Sequence, residues 1–202
     1  MNNVDRIRSI LEKSDMNDTK NIWIDADAFN EVDDQFAIVH ALLADTVNSE
    51  VNLVGMSAAP FHNEARKTKN HGHGMELSYK EMERILNILD CGWSGELYKG
   101  SISTIEESTT DYIASDAAQF LCEIAMKNYS NKKPLYVLAL GALTNVASAL
   151  KINPGIKEKI IIYQSFPVSK KTIEIHKTAL QIQQKGSETC PFCDFATFGV
   201  KI

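Results

Sequence analysis

Short apolar runs alternate with amphipathic segments from residue 21 onward, and this alternation limits the possible folds more than any other feature of the sequence. Residues 21–25, 51–57 and 135–140 have the length and the Val, Ile and Leu content of buried strands. Each run is followed by a stretch with apolar residues at helical spacing. Strands that alternate with helices are typical of βαβ units. The sequence therefore predicts an α/β fold, a Rossmann-like open and mostly parallel sheet with flanking helices.

Two amphipathic helices follow the first two strand runs. The first is predicted over residues 34–44, and the side that we expect to face the sheet comprises Phe36, Val39, His40 and Leu43. His40 is accordingly expected to be a hydrogen-bonded histidine of the core. The second helix is predicted over residues 75–89, after a polar stretch that contains two histidines. Ser115 is predicted to cap a third helix.

The composition argues against several functional classes. The 202 residues carry 26 acidic and 21 basic side chains, a net charge of −5, with no Lys- or Arg-rich stripe, so no nucleic-acid surface is expected. Four cysteines are too few and too unevenly spaced for a secreted disulfide framework. No run approaches the roughly 20 apolar residues that span a bilayer, and the N-terminus lacks the apolar core of a signal peptide. We therefore expect a cytoplasmic protein with no membrane partner that acts on small molecules.

The charge of the chain changes sign near residue 164. Residues 1–164 hold 23 acidic and 16 basic side chains, a net charge of −7, whereas residues 165–202 hold 3 and 5, a net charge of +2. The second segment also has weak periodicity and no further strand–helix unit. We predict an α/β domain over residues 1–164 and an unassigned segment over residues 165–202.

The most informative stretch, residues 25–34, places four aspartates between the end of the first strand and the start of the first helix. Packed carboxylates repel one another unless a cation or strong hydrogen-bond donors compensate them. Helix capping explains Asp33 and Asp34 without a ligand. Asp25 and Asp27 instead end an early parallel strand, where open α/β sheets place ligands. Because an all-oxygen cluster suits calcium or magnesium, we predict a site for a hard divalent cation here.

Two separated motifs resemble those of the calcium-dependent nucleoside N-ribohydrolases, the inosine-uridine-preferring nucleoside hydrolase family. The first is Asp-Ala-Asp at residues 25–27 followed by the Asp pair at 33–34, and the second is the Gly-Ala-Leu-Thr-Asn turn at residues 141–145 with an alanine-rich helix after it. Residues 54–63 are similar to the family's second strand and its Asn-bearing loop. The resemblance spans roughly residues 21–163 and implies an enzyme that hydrolyses a ribonucleoside to ribose and free base.

The resemblance also implies a cofactor and a set of site residues. The implied calcium ligands are the carboxylates of Asp27 and Asp34 and the main-chain carbonyl of Leu140, with Asp25 supporting the site from behind. Asp27 is in addition the implied base for the attacking water. Asp33 and Asn63 would bind ribose hydroxyls. Cleavage of an N-glycosidic bond passes through an oxocarbenium-like cation, which nearby carboxylates stabilise.

The link between the two aspartate motifs departs from the family pattern, which is shorter and contains glycine. Here the link is Ala-Phe-Asn-Glu-Val at residues 28–32. This variant leaves open whether Asn30 or Glu31 reaches the sugar, and Asn30 is kept as a further candidate for substrate binding.

The C-terminal segment departs more from the family. The family's site is completed by a Gly-Gly turn, a ribose loop with Asn and Glu, and a late Asp and His, none of which matches residues 164–202. His176 and Asp194 are therefore not assigned to the site. We expect a truncated or frame-altered member with weak or absent hydrolase activity, whose base preference is left open. Because loss of the last strands would expose an apolar sheet edge, a homo-oligomer is a further expectation.

Two alternatives remain open on the sequence alone. Residues 23–27 also resemble the Asp-x-Asp motif of haloacid-dehalogenase-like phosphatases, in which the first Asp attacks phosphorus and magnesium is bound. Ser57 would then be the phosphate-binding residue. The second alternative is a non-catalytic remnant that binds calcium or ribosides. Replacement of Asp25 separates the two enzymes, because a phosphatase would lose its nucleophile whereas a nucleoside hydrolase would lose only metal affinity.

Overall fold

One open sheet of parallel strands, with helices between them, makes up the described part of the chain. The computed structural model describes residues 19–47, 50–108 and 110–164, and all of them fall within one unit, Asn17–Ser165. The strands are β1 Lys20–Ala26, β2 Val51–Ala58, β3 Glu96–Lys99, β4 Leu135–Ala139 and β5 Ile160–Gln164. The helices are α1 Val32–Val47, α2 His71–Leu89, α3 Asp116–Asn128 and α4 Thr144–Ile152, with short 3-10 helices at Glu64–Arg66, Ile105–Glu107 and Pro154–Glu158. The predicted α/β fold class is confirmed.

The strand order β3-β2-β1-β4-β5 makes β1 the central strand of the described sheet. The chain moves outward from β1 through β2 to β3, returns to β4 on the other side of β1, and ends at β5. Because such crossovers are right-handed, α1 and α2 lie on one face of the sheet and α3 and α4 on the other. Helices α1 and α2 contact each other, as do α3 and α4. The winding therefore reverses between β1 and β4, and open α/β sheets bind ligands beside such a reversal.

A buried apolar cluster packs α1 and α2 against β1 and β2. Its largest members are Ile24, Ile38, Leu42, Leu53, Met56, Met75, Met82 and Ile85. Strand β4, between β1 and β5, alternates, since Leu135, Val137 and Ala139 are buried while the residues between them are half-buried. This packing fixes the ends of β1, β2 and β4 relative to one another.

The buried side of α1 differs from the prediction. Asp34, Ile38, Ala41 and Leu42 are buried, whereas Phe36 is 71% and Leu43 44% exposed and His40 is exposed, so the prediction of a core histidine is wrong. Helix α1 has two stripes at helical spacing, and the apolar pattern alone does not choose between them. The stripe that faces the sheet is the one that carries Asp34, which also brings this carboxylate to the end of β1.

Helix α2 begins at His71, four residues before the predicted start. Asn70 is its N-cap, and its side-chain Oδ1 accepts a hydrogen bond from the main-chain N–H of His73 at 2.8 Å. Two glycines in the first turn lower helix propensity by about 1 kcal/mol each relative to alanine, which made this turn resemble a loop. The predicted cap of α3 is confirmed, because Ser115 Oγ accepts from the Ala118 N–H at 3.2 Å.

The predicted boundary between residues 164 and 165 stays a prediction, because residues 165–202 lie outside the described part of the chain. His176 and Asp194 fall in that segment. Among the helices that the structure describes, none combines the length and the apolar character that a bilayer crossing requires.

Removal of the cap on α2 tests the observed start of this helix. We expect Asn70→Ala to lower the free energy of unfolding by about 1 kcal/mol, because an N–H of the first turn loses its acceptor. The matched variant Asn70→Asp keeps an acceptor and should stay close to wild type. Chemical denaturation measures both. An unchanged free energy of unfolding in Asn70→Ala would mean that the helix starts later.

Candidate functional site

Three aspartates are buried where β1 gives way to α1. Asp25 is 0%, Asp27 5% and Asp34 3% exposed. Asp25 is the penultimate residue of β1, Asp27 follows its end, and Asp34 is in the first turn of α1. The main-chain N–H of Asp27 donates to Asp34 Oδ2 at 3.1 Å, so the start of α1 is tied to the end of β1. The sequence motif thus brings its buried carboxylates to the carboxyl end of the central strand, beside the point where the winding reverses.

Burial raises the pKa values of all three carboxyl groups. For Asp25 the pKa rises to about 7, although hydrogen bonds from Asn145 and Ser57 favour its charged form. Burial also raises the pKa of Asp27, and for Asp34 burial and then the charge of Asp27 raise the pKa. The described residues therefore do not compensate the negative charge that the three groups would carry together.

One oxygen of Asp27 has no hydrogen-bond partner within the described part of the chain. This atom, Oδ1, is buried, while Oδ2 accepts from Asn30 Nδ2 at 2.9 Å. A Cβ atom added to Gly141 would lie 2.9 Å from the same Oδ1, so the turn after β4 passes directly beside it. An unpartnered buried carboxylate oxygen is costly in a protein interior, and a cation is one group that would satisfy it.

The turn after β4 is attached to β1 through the main chain of Asp25. The N–H groups of Leu140 and Gly141 donate to the Asp25 carbonyl at 2.8 and 3.2 Å. Leu140, whose carbonyl was an implied ligand, therefore lies next to the buried aspartates.

Two asparagines connect the aspartates to the loop after β2. Asn63 Nδ2 donates to Asn30 Oδ1 at 2.8 Å, and Asn30 in turn donates to Asp27. Arg66 Nε donates to the Asn30 carbonyl at 2.9 Å, which fixes this link further. The predicted substrate residues Asn30 and Asn63 thus lie together, half-buried. Asp33 is exposed and lies in the first turn of α1, next to Asp34.

The sequence did not single out Asn145, although the Thr-Asn of the second motif contains it. Asn145 Nδ2 donates to Asp25 Oδ1 at 2.8 Å. Ser57 Oγ donates to the same oxygen at 2.5 Å. The side chain of Asp25 is therefore held by two donors behind the site. Because Asp25 and Asn145 are 120 residues apart in sequence, only the fold reveals this contact.

Within residues 19–47, 50–108 and 110–164, no three His, Cys, Asp or Glu side chains are grouped so that they could hold a metal ion. A cation beside Asp27 and Asp34 would consequently take its remaining ligands from main-chain carbonyls, water or a bound substrate, as hard cations do.

Comparisons with known proteins find structural resemblances only. No protein-family model matches the chain, and no curated protein sequence matches it. The purine-preferring ribonucleoside hydrolase from Gardnerella vaginalis is 23% identical, with a TM-score of 0.48 over 72% of this chain and 48% of that one. The inosine-uridine-preferring nucleoside hydrolase from Bacillus anthracis is 19% identical, with a TM-score of 0.48 over 75% and 52%. A plant nucleoside hydrolase is 20% identical, with a TM-score of 0.43 over 71% and 47%. The chain spans about half the length of these solved structures.

The raised pKa of Asp25 predicts how the stability of the metal-free protein depends on pH. Because the folded-state pKa of about 7 exceeds the unfolded value of about 4, the folded protein binds more protons between these values. The free energy of unfolding should therefore fall as the pH rises from about 4 to about 7. The loss from Asp25 is on the order of 4 kcal/mol, since a difference of one pKa unit corresponds to about 1.4 kcal/mol.

Denaturation in EDTA across this pH range measures the effect. Asp25→Asn should reduce this dependence, and the part due to Asp27 and Asp34 should remain because burial raises their pKa values too. Asp111→Asn, at an exposed position, should leave the dependence as in the wild type. Equal slopes for the wild type and Asp25→Asn would contradict the assignment of this group.

Proposed function

We propose that this chain is a calcium-dependent nucleoside N-ribohydrolase whose described residues form the metal- and ribose-binding half of the site. The observation that carries the proposal is the environment of Asp27. One of its oxygens is buried without a partner beside Gly141, and the other leads through Asn30 to Asn63. The Asp27 carboxylate thus has one oxygen available for a cation, and its other oxygen is linked to two side-chain amides that suit sugar hydroxyls.

The donor chemistry fits a hard cation. The proposed calcium ligands are the carboxylates of Asp27 and Asp34 and the carbonyl of Leu140, with Asp25 supporting them. All are oxygens, which calcium prefers over nitrogen or sulfur. The raised pKa values of Asp27 and Asp34 support the same proposal, because a bound cation would supply the missing positive charge.

The ribose side of the proposed site consists of Asp33, Asn30 and Asn63. A sugar hydroxyl both donates and accepts hydrogen bonds, so a carboxylate and an amide are suitable partners. Asp33 is exposed and the two asparagines are half-buried, so these side chains are more accessible to a small ligand than the three buried aspartates. The proposed partner is accordingly a ribonucleoside, and its base preference is not part of the proposal.

In the proposed reaction, Asp27 accepts a proton from the attacking water. Asp33, Asn30 and Asn63 hold the ribose hydroxyls and so orient the anomeric carbon. As the bond to the base breaks, the base takes the bonding electrons, and the sugar becomes oxocarbenium-like while the nearby carboxylates stabilise its positive charge. The water oxygen then bonds to the anomeric carbon, and the departing base takes up a proton from solvent. Calcium, when bound, would contribute Lewis acidity that makes water a better nucleophile at neutral pH.

The environment of Asp25 does not favour the phosphatase alternative. A nucleophilic carboxylate must reach phosphorus, but Asp25 is 0% exposed and accepts two hydrogen bonds on Oδ1. Ser57, the residue that would bind phosphate, is 1% exposed and donates to Asp25. These contacts suit a residue that supports the site from behind.

The chain spans about half the length of the similar solved structures, so hydrolysis itself is a proposal for this chain. We expect slow or no turnover from this chain alone. A cytoplasmic location and a homo-oligomer remain predictions, for which the low cysteine content and the exposed apolar residues of α1 are the supporting observations.

Adjacent aspartates provide a matched test of the metal site. We expect Asp34→Asn and Asp27→Asn each to weaken calcium binding at least tenfold, because each removes a charged ligand. Asp33→Asn should keep calcium affinity within about twofold, because Asp33 is assigned to the sugar. Calorimetry with calcium, or Trp-sensitised terbium luminescence, measures the dissociation constants.

The reverse order of effects, with Asp33→Asn the most damaging, would contradict the ligand assignment. Failure of the wild type to bind either ion at millimolar concentration would overturn the calcium proposal.

Binding and cleavage of ribonucleosides test the function itself. We expect inosine or uridine to bind in the presence of calcium, with EDTA or Asp27→Ala abolishing binding, and ribose to be released slowly if at all. Calorimetry measures binding, and a reducing-sugar assay measures ribose.

Calcium-dependent binding without release would identify the non-catalytic remnant. Riboside binding that survives both EDTA and Asp27→Ala would contradict the site. Phosphatase activity that Asp25→Asn abolishes would favour the other enzyme class.

A further inference from the structure

Asn145 lies in the first turn of α4 and is 1% exposed. Its side chain makes four hydrogen bonds to three other segments. Nδ2 donates to Asp25 Oδ1 at 2.8 Å and to the Ala58 carbonyl at 3.1 Å. Oδ1 accepts from Ser101 twice, from the main-chain N–H at 2.7 Å and from Oγ at 2.8 Å. One amide therefore joins the start of α4 to the ends of β1 and β2 and to the segment after β3.

The orientation of the Asn145 amide follows from chemistry. The Ser101 main-chain N–H can only donate, so the atom that faces it is the carbonyl oxygen. The Ala58 carbonyl can only accept, so the atom that faces it is the NH₂ group. Nδ2 consequently has a hydrogen left for Asp25, and all four hydrogen bonds that an asparagine side chain can make are used.

Ser57 supplies the second donor to Asp25 in the same way. Trp23 Nε1, which can only donate, gives its hydrogen to Ser57 Oγ at 2.9 Å. The hydroxyl hydrogen of Ser57 is then directed to Asp25 Oδ1 at 2.5 Å. Oδ1 of Asp25 receives two hydrogen bonds, while Oδ2 has none within the described residues. The carboxylate is thereby fixed in one rotational state.

The main chain at Gly100 packs closely against the Asn145 amide. A Cβ atom on Gly100 would lie 2.4 Å from Asn145 Nδ2 and 1.9 Å from the Ala58 carbonyl oxygen. The main-chain carbonyl of Asp25 meanwhile holds the N–H groups of Leu140 and Gly141. Asp25 thus connects the end of β1 to the turn after β4 through its main-chain carbonyl, and Asn145 holds the side chain of the same residue.

We propose that Asn145 is a positioning residue for the cation site, which acts through Asp25 to set the distance between the Asp27 carboxylate and the Leu140 carbonyl. The inference rests on the proposed function for what the site binds. It adds Asn145, which is not a proposed metal ligand, to the residues on which metal affinity depends. Residues that orient metal ligands from behind typically change affinity 10- to 100-fold when they are replaced.

Ser148 offers a matched control on the same helix. It is 0% exposed, and its Oγ accepts a hydrogen bond from the Ile113 main-chain N–H at 3.0 Å. Asn145→Ala and Ser148→Ala each remove a buried polar group of α4 that serves main-chain partners, but only Asn145 contacts Asp25. A purely structural role of Asn145 would make the two variants alike in metal affinity.

The test is the terbium dissociation constant of the folded wild-type chain and of each variant. We expect Asn145→Ala and Asn145→Asp to weaken binding roughly tenfold or more; in the second, an oxygen replaces the donor that faces Asp25. Ser148→Ala should stay within about twofold of the wild type. In an Asp25→Asn background, Asn145→Ala should have little further effect, because the residue through which it acts is already altered. Wild-type affinity in folded Asn145→Ala would overturn the proposal.

A crystal structure of Asn145→Ala separates this inference from the proposed function. If the wild type binds no terbium, the proposed metal site fails, and the position of Asp25 in the variant then decides the inference. A rotated Asp25 carboxylate with a displaced turn at Leu140 supports the positioning role. An unmoved Asp25 and an unmoved turn overturn it.

Discussion

Three buried aspartates, Asp25, Asp27 and Asp34, lie together where β1 meets α1, and the surrounding structure is organised around their burial. Each has a raised pKa, because burial penalises the charged form and the described side chains supply no compensating cation. A fold selected only for stability would have little use for such a cluster. The cost becomes understandable if the cluster binds a positively charged ligand, and all of its donors are oxygens.

Several features of the fold follow from this cluster. Helix α1 turns the stripe with Asp34 toward the sheet, which leaves Phe36 71% and Val47 83% exposed. The turn after β4 has glycine at position 141, where a side chain would press on Asp27. Asn145 at the start of α4 holds Asp25 from behind. The site is thus formed at the reversal of the winding between β1 and β4, from segments far apart in the chain.

Local sequence patterns predicted where strands and helices occur better than they predicted which side chains those elements pack together. Strands β1, β2 and β4, the Ser115 cap and the aspartates at the end of β1 follow from periodicity and motif spacing. The orientation of α1 could not be predicted, because its two stripes both have helical spacing. In the structure, the stripe with Asp34 and Ile38 faces the sheet. The early start of α2 was hidden by glycines that the Asn70 cap offsets. The contact of Asn145 with Asp25 joins residues 120 positions apart, so no sequence window contains it.

The most direct test of this account is an anomalous difference map from crystals of the full chain soaked with terbium. We expect one strong peak at the end of β1, within coordination distance of carboxylate oxygens of Asp27 and Asp34 and of the Leu140 carbonyl. Calcium should displace it. A map without a peak there, or with its only peaks on exposed surface carboxylates, would contradict the claim that the buried aspartates form a cation site.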